Sequence, residues 1–340
     1  MYSDEDLDAA VAAGVLRTAD AAAFRAFVAR GGAKAAVDEE QFRLLTGFND
    51  IFVSIATLLL LAAAGWLGNR SGAAVGGGVV AVISWALAEY FTRRRRMALP
   101  SIVLLLGFAG GLFWLGFGLA AGTEGARGPI ASLELPIAAG AALAAGGTYA
   151  HWRRFMVPIT VAAGAGAALG MLIFLAVGTV PAFAEHWTLL LLLGGFAVFA
   201  LAMGWDMSDR SRTTRRSDVA FWLHLSAAPL IVHPIFSMLG LLGQGGADLG
   251  RAGIAVVIYL LLALVALAVD RRALLVSALF YVLYAMSALF RAAGSLSASF
   301  ALTALVIGSA LLLLSALWPR ARAGVLAVLP SGLRTLLPAI

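Results

Sequence analysis

From residue 51 to residue 318 the chain is a succession of apolar runs, each close to the length of a bilayer-crossing helix, separated by short polar connections. A hydrocarbon core of ~30 Å takes ~20 helical residues. In lipid every backbone amide must be paired within the segment or within a closed barrel. Ten runs have this length: 51–67, 73–91, 100–121, 131–150, 156–178, 186–205, 219–242, 252–269, 273–291 and 296–318. A β-barrel would need alternating segments of ~10 residues, so the expected fold is all-α, a polytopic membrane protein of ten transmembrane helices. Composition agrees. Of 340 residues 62% are apolar and 12% charged, about half the charge of a soluble domain, too little to coat a globule. With no cysteine, disulfides, thiolate metal ligands and thiol nucleophiles are excluded.

Orientation follows from the lysines and arginines between the runs. The segment before the first run holds five. The connections then carry one (Arg70), four (Arg93 to Arg96), one (Arg127), two (Arg153, Arg154), none, four (Arg210, Arg212, Arg215, Arg216), one (Arg251), two (Arg271, Arg272) and one (Arg291), and the tail holds three. Alternate sides total 20 and 4. The richer side is expected to be cytoplasmic, which places both termini there, in a bacterial inner membrane. Trp66, Trp152, Trp187, Trp205 and Trp318 fall at run ends, where an indole suits the headgroup level.

Residues 1–50 are of another kind, with nine acidic and five basic residues. They read as a small acidic helical prefix. Ser3 is placed to cap one helix and Thr18 a second, with Gly31-Gly32 expected to stop it. Asp38 and Gln41 suggest the start of a third. The acidic start, with no early apolar run, gives no expectation of a signal peptide. Residues 319–340, with Pro330 and Pro338, are too broken to span and suit an interfacial cytoplasmic tail.

Inside a membrane an ionisable side chain is costly, which makes each one a functional candidate. Glu89, His151, Asp206 and Asp270 sit at cytoplasmic run ends beside arginines, where local ion pairs such as Glu89 with Arg93 account for them. Glu134, Glu185, His186 and Arg291 lie at the opposite ends, near water. Run 219–242 differs. Ser226, His233 and Ser237 follow at spacings of seven and four and so share one helical face. His224 is in the same run, Gln244 just beyond it, and Pro229 and Pro234 free backbone carbonyls. A broken, polar-striped helix near the midplane is how many transporters build a substrate site. A histidine bonded to a neighbouring helix beside two kinking prolines accounts for the same residues. Glycines at four-residue spacing (Gly72/Gly76, Gly107/Gly111, Gly118/Gly122, Gly166/Gly170) fit close helix packing. No catalytic, cofactor or metal motif is present: there is no G-x-S-x-G, no H-E-x-x-H and no phosphate-binding loop, and the four histidines are scattered. The arginine loops suit anionic lipid headgroups rather than nucleic acid.

Leu7 to Leu16, ending Gly14-Val15-Leu16, the following Thr18 to Phe24, and the junction Phe48-Asn49-Asp50-Ile51-Phe52-Val53 resemble an uncharacterised family of bacterial predicted multipass membrane proteins. That likeness covers about the first 65 residues; it implies membrane placement and no activity or site residues. By helix number the layout is also similar to ten-helix drug/metabolite-type transporters, whose two five-helix halves are inverted. Two functions are expected to compete. One is a small-solute transporter or permease with its substrate site at Ser226, His233 and Ser237. The other is a non-transporting scaffold, sensor or assembly protein that docks a protein partner through the prefix. A membrane enzyme ranks last, for want of a nucleophile and base.

Overall fold

The computed structural model describes residues 4–36, 48–124, 133–240, 249–272, 274–276, 279, 282–283, 299–334 and 337. The regular structure among them is entirely helical. The chain forms two compact units, residues 1–43 and 44–339. The first holds α1 (Asp4–Ala12) and α2 (Thr18–Ala36), joined by an Arg25–Asp8 ion pair of 2.8 Å. The pair Gly31-Gly32 does not stop α2, which continues to Ala36; alanines on both sides offset a glycine cost of about 1 kcal/mol each. The expected third helix lies outside the described residues.

The second unit contains α3 (Phe48–Asn69), α4 (Ala73–Ala88), α5 (Ala98–Glu124), α6 (Glu134–Phe155), α7 (Ile159–Thr179), α8 (Trp187–Ser208), α9 (Arg215–Met238), α10 (Leu249–Val269), α11 (Ser299–Ala316), α12 (Trp318–Val328) and the single turn α13 (Ser331–Arg334). A π-helical stretch, Glu89–Arg94, extends α4, and a 3-10 turn, Pro181–His186, leads into α8. Six of these helices are long and apolar enough to cross a membrane, or up to seven if a bent pair counts as one span. This is fewer than the ten expected, for identifiable reasons. Helix α6 has 22 residues, but it is built from Ala and Gly and carries Glu134, His151, Arg153 and Arg154, so its apolarity falls short. The apolar part of α10, Gly253–Val269, is short. Most of run 273–291 is outside the described residues. The pair α11 and α12 is bent by 77° at Leu317, just ahead of Pro319.

The helices expose their largest apolar side chains. Leu59, Trp66, Leu119, Leu193, Val257, Leu261 and Leu312 all face outward, the pattern of a surface solvated by lipid. Where α4, α5 and α6 meet, small residues let the backbones close up. A Cβ on Gly77 would lie 2.5 Å from the Gly111 carbonyl oxygen, and one on Gly140 2.5 Å from that of Phe113. Backbones this close are how helices associate where water gives no hydrophobic drive. The expected glycine pairs are only partly used so: Gly76, Gly107, Gly111 and Gly118 are tightly opposed, whereas nothing lies within 4 Å of a Cβ built on Gly122 or Gly166.

The arginine-rich turns gather at one end of the bundle. Arg154 donates to Glu89 at 2.7 Å, Arg215 to the Met156 carbonyl at 3.5 Å, Arg212 to Asp270 at 2.7 Å and Arg210 to the Leu337 carbonyl at 3.0 Å. Each turn contains one non-glycine residue in the left-handed region: Arg96, Met156, Arg212 and Asp270. At Met156 and Asp270 that conformation directly follows the last helical residue and ends the helix there, whereas Arg212 lies within the loop after α8. Trp152 and Trp205 meet edge to face here, 6.2 Å apart, and Trp318 is buried. These three are packing residues rather than headgroup anchors; Trp66 and Trp187 are exposed, as an anchor would be.

A register is visible in these contacts. The pairs Glu89–Arg154 and Asp206–Arg271 each span 65 residues. Helices α5 and α9 begin 117 residues apart (98 to 215), as do the two acids (89 to 206) and the two arginines (154 to 271). The relation joins helices four apart in order, which point the same way. Inverted five-helix halves would instead join helices five apart.

Candidate functional site

Helix α8 stays apolar until its last turn, where Trp205-Asp206-Met207-Ser208 brings the first ionisable group. Asp209 then organises the loop to α9. Its carboxylate accepts from the Thr214 hydroxyl at 2.7 Å and from the Thr214 and Thr213 amides at 2.9 and 3.3 Å. Burial alone would raise the Asp209 carboxyl, but these hydrogen bonds outweigh it and hold the group below the usual carboxylate value. Thr214 is also the N-cap of α9, accepting from the Arg216 amide at 3.3 Å. The loop therefore fixes where α9 begins, and so which of its faces meets α8.

That face carries His224. Its Nε2 lies 2.8 Å from Asp206 Oδ2, and the imidazole is 0% exposed. Phe199 of α8 packs against its ring at 5.2 Å. The third member comes from the turn after α10. Asp270 is left-handed, and the Arg271 amide returns to the Ala266 carbonyl at 2.9 Å, a Schellman-type ending that turns the Arg271 side chain back into the bundle. Its guanidinium spans both Asp206 oxygens and also donates to the Ser217 carbonyl at 3.2 Å. Asp206 and Arg271 are each 2% exposed. A carboxylate, an imidazole and a guanidinium, from three separate stretches of chain, thus form one closed polar cluster.

Around it lies a second layer. Arg212 binds the Asp270 carboxylate and also caps α10, donating to the Val269 and Asp270 carbonyls at 3.3 and 3.1 Å, a favourable place for a cation. The Trp318 indole N–H donates to Asp270 at 2.7 Å, and Arg322 is 3.8 Å away. The tail after α11 is in this way tied to the same corner.

The predicted site residues are placed differently. Helix α9 runs unbroken from Arg215 to Met238 through Pro229 and Pro234. Its midpoint falls between Ser226 and Ala227, and His233 lies five residues from its far end. Ser226, His233 and Ser237 are half-buried, and Ser226 donates to the Trp222 carbonyl at 2.9 Å. They lie further along α9 than His224, the member of the Asp206 cluster on this helix. Glu89 does bind Arg93 at 3.2 Å as expected, and Arg154 besides. Asp206 and Asp270 bind distant arginines, Arg271 and Arg212, which lie 65 and 58 residues away. His151 is buried among Trp85, Phe108 and Phe155, with Nδ1 at 3.2 Å from Thr160 Oγ1. Glu185 and His186 are exposed; Arg291 and Gln244 lie outside the described residues.

His224 Nδ1 has no hydrogen-bond partner among the described residues, so the ring has a free position opposite the one bound to Asp206. Among the described residues the nearby Ser217 hydroxyl faces Arg271, at 3.4 Å. No group of three possible metal ligands occurs among the described residues. No family model, no curated protein and no solved structure matches this chain.

Proposed function

We propose that this protein is a transporter or permease for a small solute in a bacterial inner membrane, with ten spans, both termini cytoplasmic, and the Asp206–His224–Arg271 cluster as its cytoplasmic gate. The observation that carries the reading is the burial of three ionisable groups against one another. A charged side chain inside a membrane bundle is costly and marks solute or ion pathways. A closed ion pair between helix ends is also an element with two states, since opening it parts α8 and α9 from the α10 turn. The 117-residue register supports the same reading, because same-direction repeats about an axis along the membrane normal are one transporter architecture. The half-buried stripe Ser226, His233 and Ser237, further along α9, is then the solute-facing surface.

Reconstituted protein assayed for solute-induced currents and uptake over a panel of amino acids, sugars and organic acids tests this. Wild type should move at least one class faster than empty vesicles, and Asp206→Asn and His233→Leu should each abolish that movement. Vesicles indistinguishable from empty ones across the panel would refute transport. The alternative, a non-transporting scaffold docking a protein through its prefix, is favoured by one observation: residues 1–43 form a unit of their own that leaves Val15 and Phe27 exposed. Deleting residues 1–37 should leave transport intact under the first reading and abolish partner capture under the second.

A further inference from the structure

At the elbow between α11 and α12 a cavity of about 140 Å³ opens between α10, the residues following it and α11. Its walls are polar mainly at one end. Arg272, Ser315 and Trp318 form that end, and Leu275, Leu279 and Leu311 line the rest. Leu311 is four residues before Ser315 on α11, so at 1.5 Å per helical residue the slot runs about 6 Å inward from its polar end. It is smaller than the ~300–1,000 Å³ of pockets that enclose a whole ligand. It therefore takes part of a molecule whose remainder lies in the bilayer.

The polar end is prepared for an anion. Arg272 stacks over the Trp318 indole at 5.0 Å, and its Nη1 reaches Ser315 Oγ at 3.5 Å. Unlike its neighbours it has no carboxylate within ion-pair distance among the described residues. Arg271 belongs to Asp206, while Arg212 and Arg322 share Asp270. The corner is rich in guanidinium groups, and the one at Arg272 borders the slot. A stacked guanidinium keeps its edge donors for bidentate binding of phosphate. Deeper in the cavity wall, the buried Tyr259 hydroxyl has no hydrogen-bond partner among the described residues; a lipid ester carbonyl would supply one.

We infer that this elbow binds one anionic phospholipid, its phosphate on Arg272 and an acyl chain along Leu275, Leu279 and Leu311. The site adjoins the proposed gate, since Arg272 follows Arg271 and Trp318 also donates to Asp270, but lipid binding there does not depend on transport. The test is native mass spectrometry of the purified full chain, titrated with a phosphatidylglycerol and with a phosphatidylcholine of the same acyl chains. Wild type should hold one phosphatidylglycerol at least about tenfold more tightly than any phosphatidylcholine. Arg272→Gln should remove that preference, and Arg320→Gln, at an exposed arginine outside the slot, should leave it unchanged. Leu279→Trp fills the slot while keeping the charge, and should also lose the tight lipid; it carries the test if Arg272→Gln fails to fold. An unchanged preference in Arg272→Gln or Leu279→Trp overturns the proposal. So does equal binding of both lipids, or displacement of phosphatidylglycerol by free oleate at equal concentration, which would make the ligand a fatty acid.

Discussion

Neutralising Asp206 should be among the most damaging isosteric changes this protein can suffer. Asp206→Asn keeps the shape and leaves one acceptor oxygen, but it strips the charge from a carboxylate that binds both Arg271 and His224. The Arg271 guanidinium, 2% exposed, then stays inside the bundle without the carboxylate that balanced its charge, while its contacts to Ser217 remain. Breaking a buried pair by removing one partner costs about 3–5 kcal/mol, chiefly the penalty of the stranded charge. Removing both charges with shape-matched apolar groups is close to neutral by the same reasoning. The triple variant Asp206→Leu/His224→Phe/Arg271→Met, which also removes the buried imidazole that would lose its partner, should therefore recover most of the stability that Asp206→Asn loses. Glu89→Gln supplies the contrast. Its pair with Arg154 spans the same 65 residues and has the same chemistry, but is exposed, so solvent screens it and little changes. The assay is reversible unfolding in mixed micelles, read as the midpoint and free energy of each variant. A loss under about 1 kcal/mol in Asp206→Asn, or a loss in Glu89→Gln as large, would show that burial does not govern these pairs and refute the reasoning.

Other expectations concern packing, the α8–α9 loop and topology. Gly77→Ala should destabilise by about 1–3 kcal/mol, because its methyl would meet the Gly111 and Leu115 backbones at 2.5 Å, whereas Gly110→Ala, facing open space, should be neutral; thermal unfolding of the two purified variants decides. The lowered Asp209 carboxyl contributes stability that is fully present above the usual carboxylate range and is lost as pH falls through its folded value. Asp209→Asn should flatten that acid-side decline in a melting series from about pH 5 to pH 2, and a decline as steep as wild type would dissociate it from Asp209. Single cysteines at Ser71, Ser211 and Ser331, all exposed, should react with an impermeant thiol reagent on intact cells only at Ser71; labelling at Ser211 would reverse the orientation.

What the sequence determined by itself is everything that depends on near neighbours. Helicity and membrane solvation follow from runs of Leu, Ala and Val, because a hydrocarbon environment leaves an isolated segment no other way to satisfy its backbone. The gathering of arginine turns at one end was legible too, since alternation of short connections fixes sides. So was Glu89 with Arg93, one turn apart on a single helix. The prediction of a broken helix at Pro229 and Pro234 failed on a non-local ground: α9 is held on several sides by α7 and α8, and packing of this kind overrides a local propensity. Only the tertiary structure decided that Asp206, His224 and Arg271 are one object. Nothing near Asp206 in sequence marks a partner 65 residues on. The arginines beside it are nearer and equally charged, and the choice between them is made by the left-handed turn at Asp270, which aims Arg271 inward while Arg212 turns to cap α10. Charge pairing in water is indifferent to such geometry. Inside a bundle the desolvated carboxylate must take the cation that the backbone can deliver, and which one that is depends on the fold.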